Sequence, residues 1–232
     1  MGRPIRFLLD GEVRELADVD PTLTVLNWLR YQARRTGTKE GCAEGDCGAC
    51  TVVLAELAEG GVRFKAMNAC ILFVPMLDGR ALFTVESLAR DGVLHPVQRA
   101  MVDKHGSQCG FCTPGFVMSL YAHQRTGAPT DVASLKDALA GNLCRCTGYG
   151  PILAAGQAMG PDPDAADVDA LASALKDVQS DEPLAFEHNG RRFSAPRTLQ
   201  LGGNTRRWTL RDLSGNLLRS YLQVPNGSTF SW

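Results

Sequence analysis

Gly41-Cys42-Ala43-Glu44-Gly45-Asp46-Cys47-Gly48-Ala49-Cys50 places three cysteines and three glycines within ten residues. Three thiolates that converge on one metal centre over so short a stretch force the chain to curl tightly, with backbone amides turned inward. Gly41, Gly45 and Gly48 permit positive φ and close approach of the backbone. Amides aimed at sulfur would stabilise an anionic centre and raise its potential. A fourth cysteine, Cys70, lies downstream, which completes a C-x4-C-x2-C spacing with a distant partner. Cys109, Cys112, Cys144 and Cys146 form a second set, a C-x2-C followed by a C-x-C. The two sets use all eight cysteines of the chain. Four and four thiolates are the ligand count for two iron–sulfur clusters.

Two other chemistries compete. Disulfides are the usual use of cysteine in small secreted domains. The N-terminal stretch Met1-Gly-Arg-Pro-Ile-Arg-Phe has no long apolar core and no small-residue cleavage site, so export is not expected. Zinc also takes four cysteines, often as C-x2-C pairs. For the first set the spacing is that of plant-type ferredoxins, which favours iron–sulfur. For the second set, spacing alone leaves iron and zinc both open, because a C-x-C pair is unusual for either.

Composition narrows the partners. A net charge of −1 gives no reason to expect nucleic acid or another polyanion. No apolar run approaches bilayer length, so no membrane is expected and the chain reads as soluble and cytoplasmic. Its 44% hydrophobic content is ordinary for a globular chain able to bury real cores.

Outward from the loop, the first stretch reads as α+β. Ile5, Phe7 and Leu9 alternate, and Asp10-Gly11 marks a tight turn, so residues 4–16 predict a β-hairpin. Pro21 and Thr22 can start a helix whose apolar face is Val25, Leu26 and Leu29. Strands are expected from Thr51 to Leu54, Val62 to Ala69 and Ala81 to Val85. This order fits a β-grasp, ferredoxin-like domain over residues 1–90.

Residues 91–160 read as all helix, a four-helix bundle that holds the second cluster between helix ends. Val97, Ala100 and Met101 give one apolar face; Phe116, Val117, Leu120 and Tyr121, after Pro114, give another. Leu135, Ala138 and Leu139 predict a third helix stopped at Gly141, and Ile152, Ala155 and Met159 a fourth. Cys112 and Cys146 are expected near helix N-termini, where the dipole favours thiolate. His95, His105, His123 and His188 lie outside both cysteine sets and read as surface or internally satisfied residues. No nucleophile or acid–base set is recognisable, so the chain is not expected to be catalytic alone.

Four runs carry a family resemblance: Gly37-Thr-Lys-Glu-Gly-Cys42 through Cys50-Thr51, Leu94-His-Pro-Val-Gln98, Gly106-Ser-Gln108-Cys-Gly-Phe-Cys-Thr-Pro-Gly115, and Gly141-Asn-Leu-Cys-Arg-Cys-Thr-Gly-Tyr-Gly-Pro-Ile152. Over about residues 4–160 the chain resembles the small iron–sulfur subunit of the xanthine dehydrogenase family, the molybdenum hydroxylases. The resemblance implies that both cysteine sets hold [2Fe–2S] clusters. It implies an electron-transfer role between a molybdopterin centre and FAD, then NAD, during purine catabolism. Molybdopterin is expected on a large partner subunit and FAD on a flavin-bearing domain or chain, neither bound by this chain alone. Gln108 matches the position nearest the pterin. A small subunit of an aldehyde- or carbon-monoxide-oxidising relative is the alternative within the family. A free ferredoxin-type carrier is the alternative outside it, although a diffusing carrier needs only one cluster.

Residues 161–232 depart from that pattern. Val168, Leu171, Leu175 and Val178 predict one amphipathic helix in a linker. Residues 184–199 resemble the start of the family's FAD domain, with a hairpin at Asn189-Gly190, but too little chain follows for the body of that domain. Gly202-Gly203-Asn204 is weak evidence for a flavin-site turn, and Arg206, Arg207, Arg211 and Arg219 read as a solvated or partner-facing surface.

Overall fold

The computed structural model describes residues 3–182 and 184–195, together with the strand backbones at 199–201, 205–212, 217–223 and 229–231. The chain opens with β1 (Ile5–Leu9) and β2 (Glu12–Leu16), paired antiparallel with Leu9 opposite Glu12. Asp10 and Gly11 lie at φ 55° and 79°, the pair of positive angles that a two-residue hairpin turn needs.

The expected first helix is shorter and starts later than its apolar spacing suggests. The Thr22 amide and hydroxyl both bind the Asp20 carboxylate, at 2.7 Å each, which holds that stretch in a turn. Thr24 caps the helix instead, its Oγ1 accepting from Asn27 N at 3.2 Å. The helix is α1 (Val25–Asn27), and it widens at once into a π turn, Trp28–Gln32. There Trp28 meets the Phe7 ring edge-on, centroids 5.4 Å apart.

β3 (Thr51–Ala58), β4 (Gly61–Asn68) and β5 (Ala81–Phe83) complete a five-stranded mixed sheet in the order β2-β1-β5-β3-β4, with β1 and β5 parallel. β5 stops before Val85 because Thr84 and Ser87 bind each other: Thr84 N donates to Ser87 Oγ at 2.9 Å and Ser87 N donates to Thr84 O at 2.9 Å. Period two sorts the strand side chains onto two cores. Ile5, Phe7, Leu9, Val52 and Leu54 face a core with Val25, Leu26, Trp28 and Leu29. Leu8, Val53, Ala55 and Ala81 face the opposite way, into the core of the helical half. The inner strands β1 and β3 are buried on both faces, and each fully buried Leu, Val or Phe is worth roughly 1.5–3 kcal/mol.

The helical half contains α2 (Pro96–Asp103), α3 (Thr113–Arg125), α4 (Val132–Leu139) and α5 (Gly150–Gln157). α2 packs on α3 and α5, and α4 packs on α3 and α5. Residues 115–123 of α3 are buried all round, the pattern of a central helix, and α3 also lies on β3 and β4. Asp131 caps α4 through Ala133 N and Ser134 N. Cys112 immediately precedes α3, as expected, but Cys146 lies four residues ahead of α5, outside its first turn. Among the described residues, no helix is long and apolar enough to cross a membrane.

The expected linker is a strap across both halves. Gln124 Nε2 donates to Gly160 O at 2.7 Å, Arg125 pairs with Asp162 at 2.8 Å, and Arg90 pairs with Asp164 at 3.0 Å. α6 (Val168–Val178) then packs Leu171, Ala174, Leu175 and Val178 against β1, β3 and β4. The predicted hairpin follows as β6 (Leu184–His188) and β7 (Arg191–Ala195), with Asn189 and Gly190 at φ 50° and 69°. Leu184, Phe186 and Phe193 join the core beneath β1. β8 (Leu199–Leu201), β9 (Thr205–Asp212), β10 (Leu217–Gln223) and β11 (Thr229–Ser231) extend this hairpin into a second sheet, ordered β11-β10-β9-β7-β6, with β8 on β9. The Gly202-Gly203-Asn204 turn and the side chains of the four tail arginines lie outside the described residues.

Candidate iron–sulfur sites

The strand register builds the first site. Thr51 pairs with Asn68, so Cys50, one residue before β3, meets Cys70, two residues past β4. The Ala69 amide donates to Cys50 O at 3.2 Å and closes this end of the ladder. The loop 41–50 then folds over it, braced by Asn68 Nδ2 donating to Gly45 O at 2.6 Å. Gly45 and Gly48 lie at φ 86° and 68°, and Ala43 takes the same left-handed region at 60°, where a side chain is strained. Gly41 serves differently: a Cβ there would lie 2.6 Å from Cys47 Sγ, so its role is close approach.

The inward amides are present. Asp46 N and Cys47 N each lie 3.3 Å from Cys42 Sγ, Glu44 N lies 3.5 Å from it, and Cys42 N lies 3.3 Å from Cys47 Sγ. Burial pushes the Cys42 thiol up, but the amides of Cys47, Glu44 and Asp46 outweigh it and bring it down to about 7. Cys50 and Cys70 share a thiol hydrogen bond. It holds Cys50 below its ordinary value, and with burial it holds Cys70 far above. The negative charges of Cys42 and Cys47 also act on Cys50, so the four sulfurs form one electrostatic group.

The second site is assembled from two interhelical loops. Cys109 and Cys112 lie between α2 and α3, and Cys144 and Cys146 between α4 and α5. Cys109 pairs with Cys146, and Cys112 with Cys144. Burial, the bond to Cys144 and the charges of Cys144 and Cys109 push the Cys112 thiol up to about 12, so the position ahead of α3 does not decide its titration. Cys144 is raised by burial but falls to about 7, chiefly through the Thr147 hydroxyl 3.2 Å from its sulfur and the Thr147 and Cys146 amides. Cys144 N donates to Tyr149 Oη at 3.0 Å, and Tyr149 N donates to Thr147 Oγ1 at 3.2 Å. Tyr149 takes φ 67° to do this, an angle that Tyr rarely adopts.

None of the eight cysteines is in a disulfide, and they gather as the two sets expected from spacing. Each site offers four sulfurs, some of them met by N–H or O–H donors, a donor set that suits a thiolate-ligated cluster. Gln108 is exposed beside the exposed Cys109. The sites touch each other: Leu143 N donates to Cys47 O at 3.0 Å. Asn142 Nδ2 adds a second link by donating to Gly48 O, whereas Thr147 and Tyr149 act within the second site; nothing in the residue type of these three alone points to it.

The histidines are mostly satisfied. His123 Nε2 meets Pro129 O at 2.8 Å, and His188 Nδ1 meets Asp18 at 3.0 Å. Of the two roles expected, surface or internal, His95 takes the internal one. It is buried, its Nδ1 accepts from Val97 N, and its Nε2 faces Asp162 at 3.9 Å.

Known proteins match along the same division. The family model for a 2Fe-2S iron-sulfur cluster binding domain matches residues 7–74, and that for a [2Fe-2S] binding domain matches residues 84–157. Xanthine dehydrogenase of Drosophila pseudoobscura pseudoobscura is 48% identical over 150 residues, 63% of this chain and 11% of that protein. Aldehyde oxidase 2 of Cavia porcellus is 47% identical over 154 residues, 65% of this chain and 12% of that protein. The chain therefore spans about a ninth of the length of these curated relatives. Quinoline 2-oxidoreductase from Pseudomonas putida 86 has a solved chain with TM-score 0.58 and 30% identity, aligned over 77% of this chain and 99% of that one. Aldehyde oxidoreductase from Desulfovibrio gigas aligns with TM-score 0.60 and 32% identity over 79% of this chain and 19% of that one. The two 2Fe-2S domains stand side by side in this chain as they match in sequence, and the chain belongs to the xanthine dehydrogenase family of oxidoreductases, as its iron–sulfur portion.

Proposed function

We propose that this chain carries single electrons, through two [2Fe–2S] clusters, from a molybdopterin centre on a separate large subunit toward FAD and NAD. The observation that carries the reading is the gathering of all eight cysteines into two four-sulfur sets whose loops are hydrogen-bonded to each other. In this reading Cys42, Cys47, Cys50 and Cys70 hold one cluster within a β-grasp domain (1–90). Cys109, Cys112, Cys144 and Cys146 hold the other within a four-helix 2Fe–2S-binding bundle (91–160). Residues 161–232 form the strap and a segment that resembles the start of a flavin domain.

The clusters, when bound, supply one-electron redox chemistry; the protein supplies ligands and a polar frame. The amides around Cys42 and the Thr147 hydroxyl at Cys144 stabilise negative charge on sulfur and so favour the reduced state. Substrate oxidation, of a purine by analogy with the xanthine dehydrogenases, takes place on the partner. The exposed Gln108-Cys109 edge is the face we assign to it, with Gln108 in hydrogen-bond contact across the boundary.

Purification of the native complex from its source tests this reading, with Mo, Fe and flavin measured in the same sample. A large molybdenum-containing chain at equal stoichiometry is expected. An iron-containing chain that elutes alone would place it among free ferredoxin-type carriers.

A further inference from the structure

Asn142 is buried, 4% exposed, and both ends of its side-chain amide are hydrogen-bonded. Its Nδ2 donates to Gly48 O at 3.0 Å and to Thr51 Oγ1 at 3.2 Å, and its Oδ1 accepts from Ser119 Oγ at 2.7 Å. A carbonyl can only accept, so the Gly48 oxygen fixes which end of the amide faces the first loop. Thr51 Oγ1 donates in turn to Gly48 O at 2.7 Å. Four segments meet at this one side chain: the first loop, the start of β3, α3 and the stretch leading to Cys144.

The backbones around it admit no slack. A Cβ at Gly48 would lie 2.2 Å from Gly141 O, and one at Gly115 would lie 2.2 Å from Gly48 O. Gly48 adjoins Cys47, and Asn142 stands two residues before Cys144. The bond from Asn142 to Gly48 therefore has one end within two residues of Cys144 and the other next to Cys47. The neighbouring bond from Leu143 N to Cys47 O runs parallel to it at 3.0 Å.

We propose that Asn142 is a positioning residue that locks the two cysteine sets at one fixed separation, so that the two centres interact as a single rigid pair. This rests on the reading that both sets hold iron–sulfur clusters. A buried, hydrogen-bonded amide rigidifies what it joins; without its donors Gly48 O keeps the Thr51 amide and hydroxyl, both from its own segment, and the side-chain link from the first loop to the stretch before Cys144 is gone.

The test uses the full chain, reconstituted anaerobically with iron and sulfide and fully reduced. Microwave power saturation reads how strongly each paramagnetic centre relaxes the other. Cys47→Ser, with only the helical-half centre, supplies the uncoupled limit. Asn142→Asp keeps the size of the side chain and removes both amide donations. It is expected to retain both signals at their own field positions, while half-saturation power shifts toward the uncoupled limit. Ser119→Ala, which frees only Oδ1, should shift it less in the same direction, and it decides the matter if Asn142→Asp loses iron. Unchanged mutual relaxation at full iron content in Ser119→Ala and Asn142→Asp would overturn the proposal. So would a change in one signal's own field positions with mutual relaxation intact. A wild-type chain that holds zinc, or a single centre, sinks the ligand reading itself, a result distinct from two normal centres indifferent to Asn142.

Discussion

The amide of Cys144 donates to the hydroxyl of Tyr149 at 3.0 Å, across the loop 144–149 that Tyr149 closes from a left-handed backbone position. A cysteine of the second site is thereby held through its backbone as well as approached at its sulfur. The Tyr149 ring also meets Phe116 edge-on at 6.1 Å, which ties the loop to the core beneath α3.

Tyr149→Phe keeps that ring contact and deletes the acceptor. The Cys144 N–H, partly buried, then lacks a partner, a cost of about 1–2 kcal/mol. The helical-half centre should lose iron earlier in chelator titration, with the first centre unaffected. Equal loss from both centres would contradict this account of Tyr149.

Thr147→Val removes the hydroxyl 3.2 Å from Cys144 Sγ. A thiolate cannot donate, so in the loaded protein Thr147 is the donor, and its loss destabilises the more negative, reduced state. At about 1 kcal/mol per hydrogen bond, the midpoint potential of that centre should fall by roughly 40 mV. Redox titration followed by EPR measures it; a rise would reverse the assigned role.

Gly41→Ala drives a methyl group to 2.6 Å from Cys47 Sγ, so the first site should fail to fill while the second stays loaded. Gly160→Ala, where the nearest atom is 3.6 Å away, should fill both. Iron content and visible absorption of the two variants check this pair.

His95 predicts a pH dependence. Burial holds its pKa below the ordinary 6.5, against the pull of Asp164 and Asp162 and aided by Arg90 and Arg125. Because the folded value is the lower one, the unfolded chain binds more protons as pH falls below about 6.5, and stability is lost in that direction. His95→Gln should lose less stability than wild type on acidification through this range. Urea midpoints on either side of it give the comparison; parallel losses would show that His95 does not titrate on unfolding.

Much of this architecture is legible in the sequence because it depends on short-range chemistry. Asp10-Gly11 and Asn189-Gly190 declare their turns, and the alternation of Ile5, Phe7 and Leu9 declares the strand and its core face. The cysteine spacing suggests which sulfurs lie near one another, although Cys70 and Cys50 meet only through the β3–β4 register. What is not legible depends on contacts far apart in the chain. Leu8 and Val53 bury a second sheet face in a core shared with helices far along the chain, α2 and α3 among them, and single-face alternation does not announce that. The start of α1 is hidden because Asp20 captures Thr22. Asn142 and His95 acquire their surroundings only when Gly48 and Asp162 arrive from distant segments.

Metal content of the full chain, made anaerobically with iron and sulfide, tests the central claim most directly when wild type is measured beside Cys47→Ser. Two thiolate-held [2Fe–2S] sites predict about four irons and about four labile sulfides, no zinc and two EPR signals in wild type. The variant should keep about two irons and the helical-half signal alone. Zinc in place of iron, or loss of both signals from a folded Cys47→Ser chain, would contradict the assignment of these eight cysteines to two independent iron–sulfur sites.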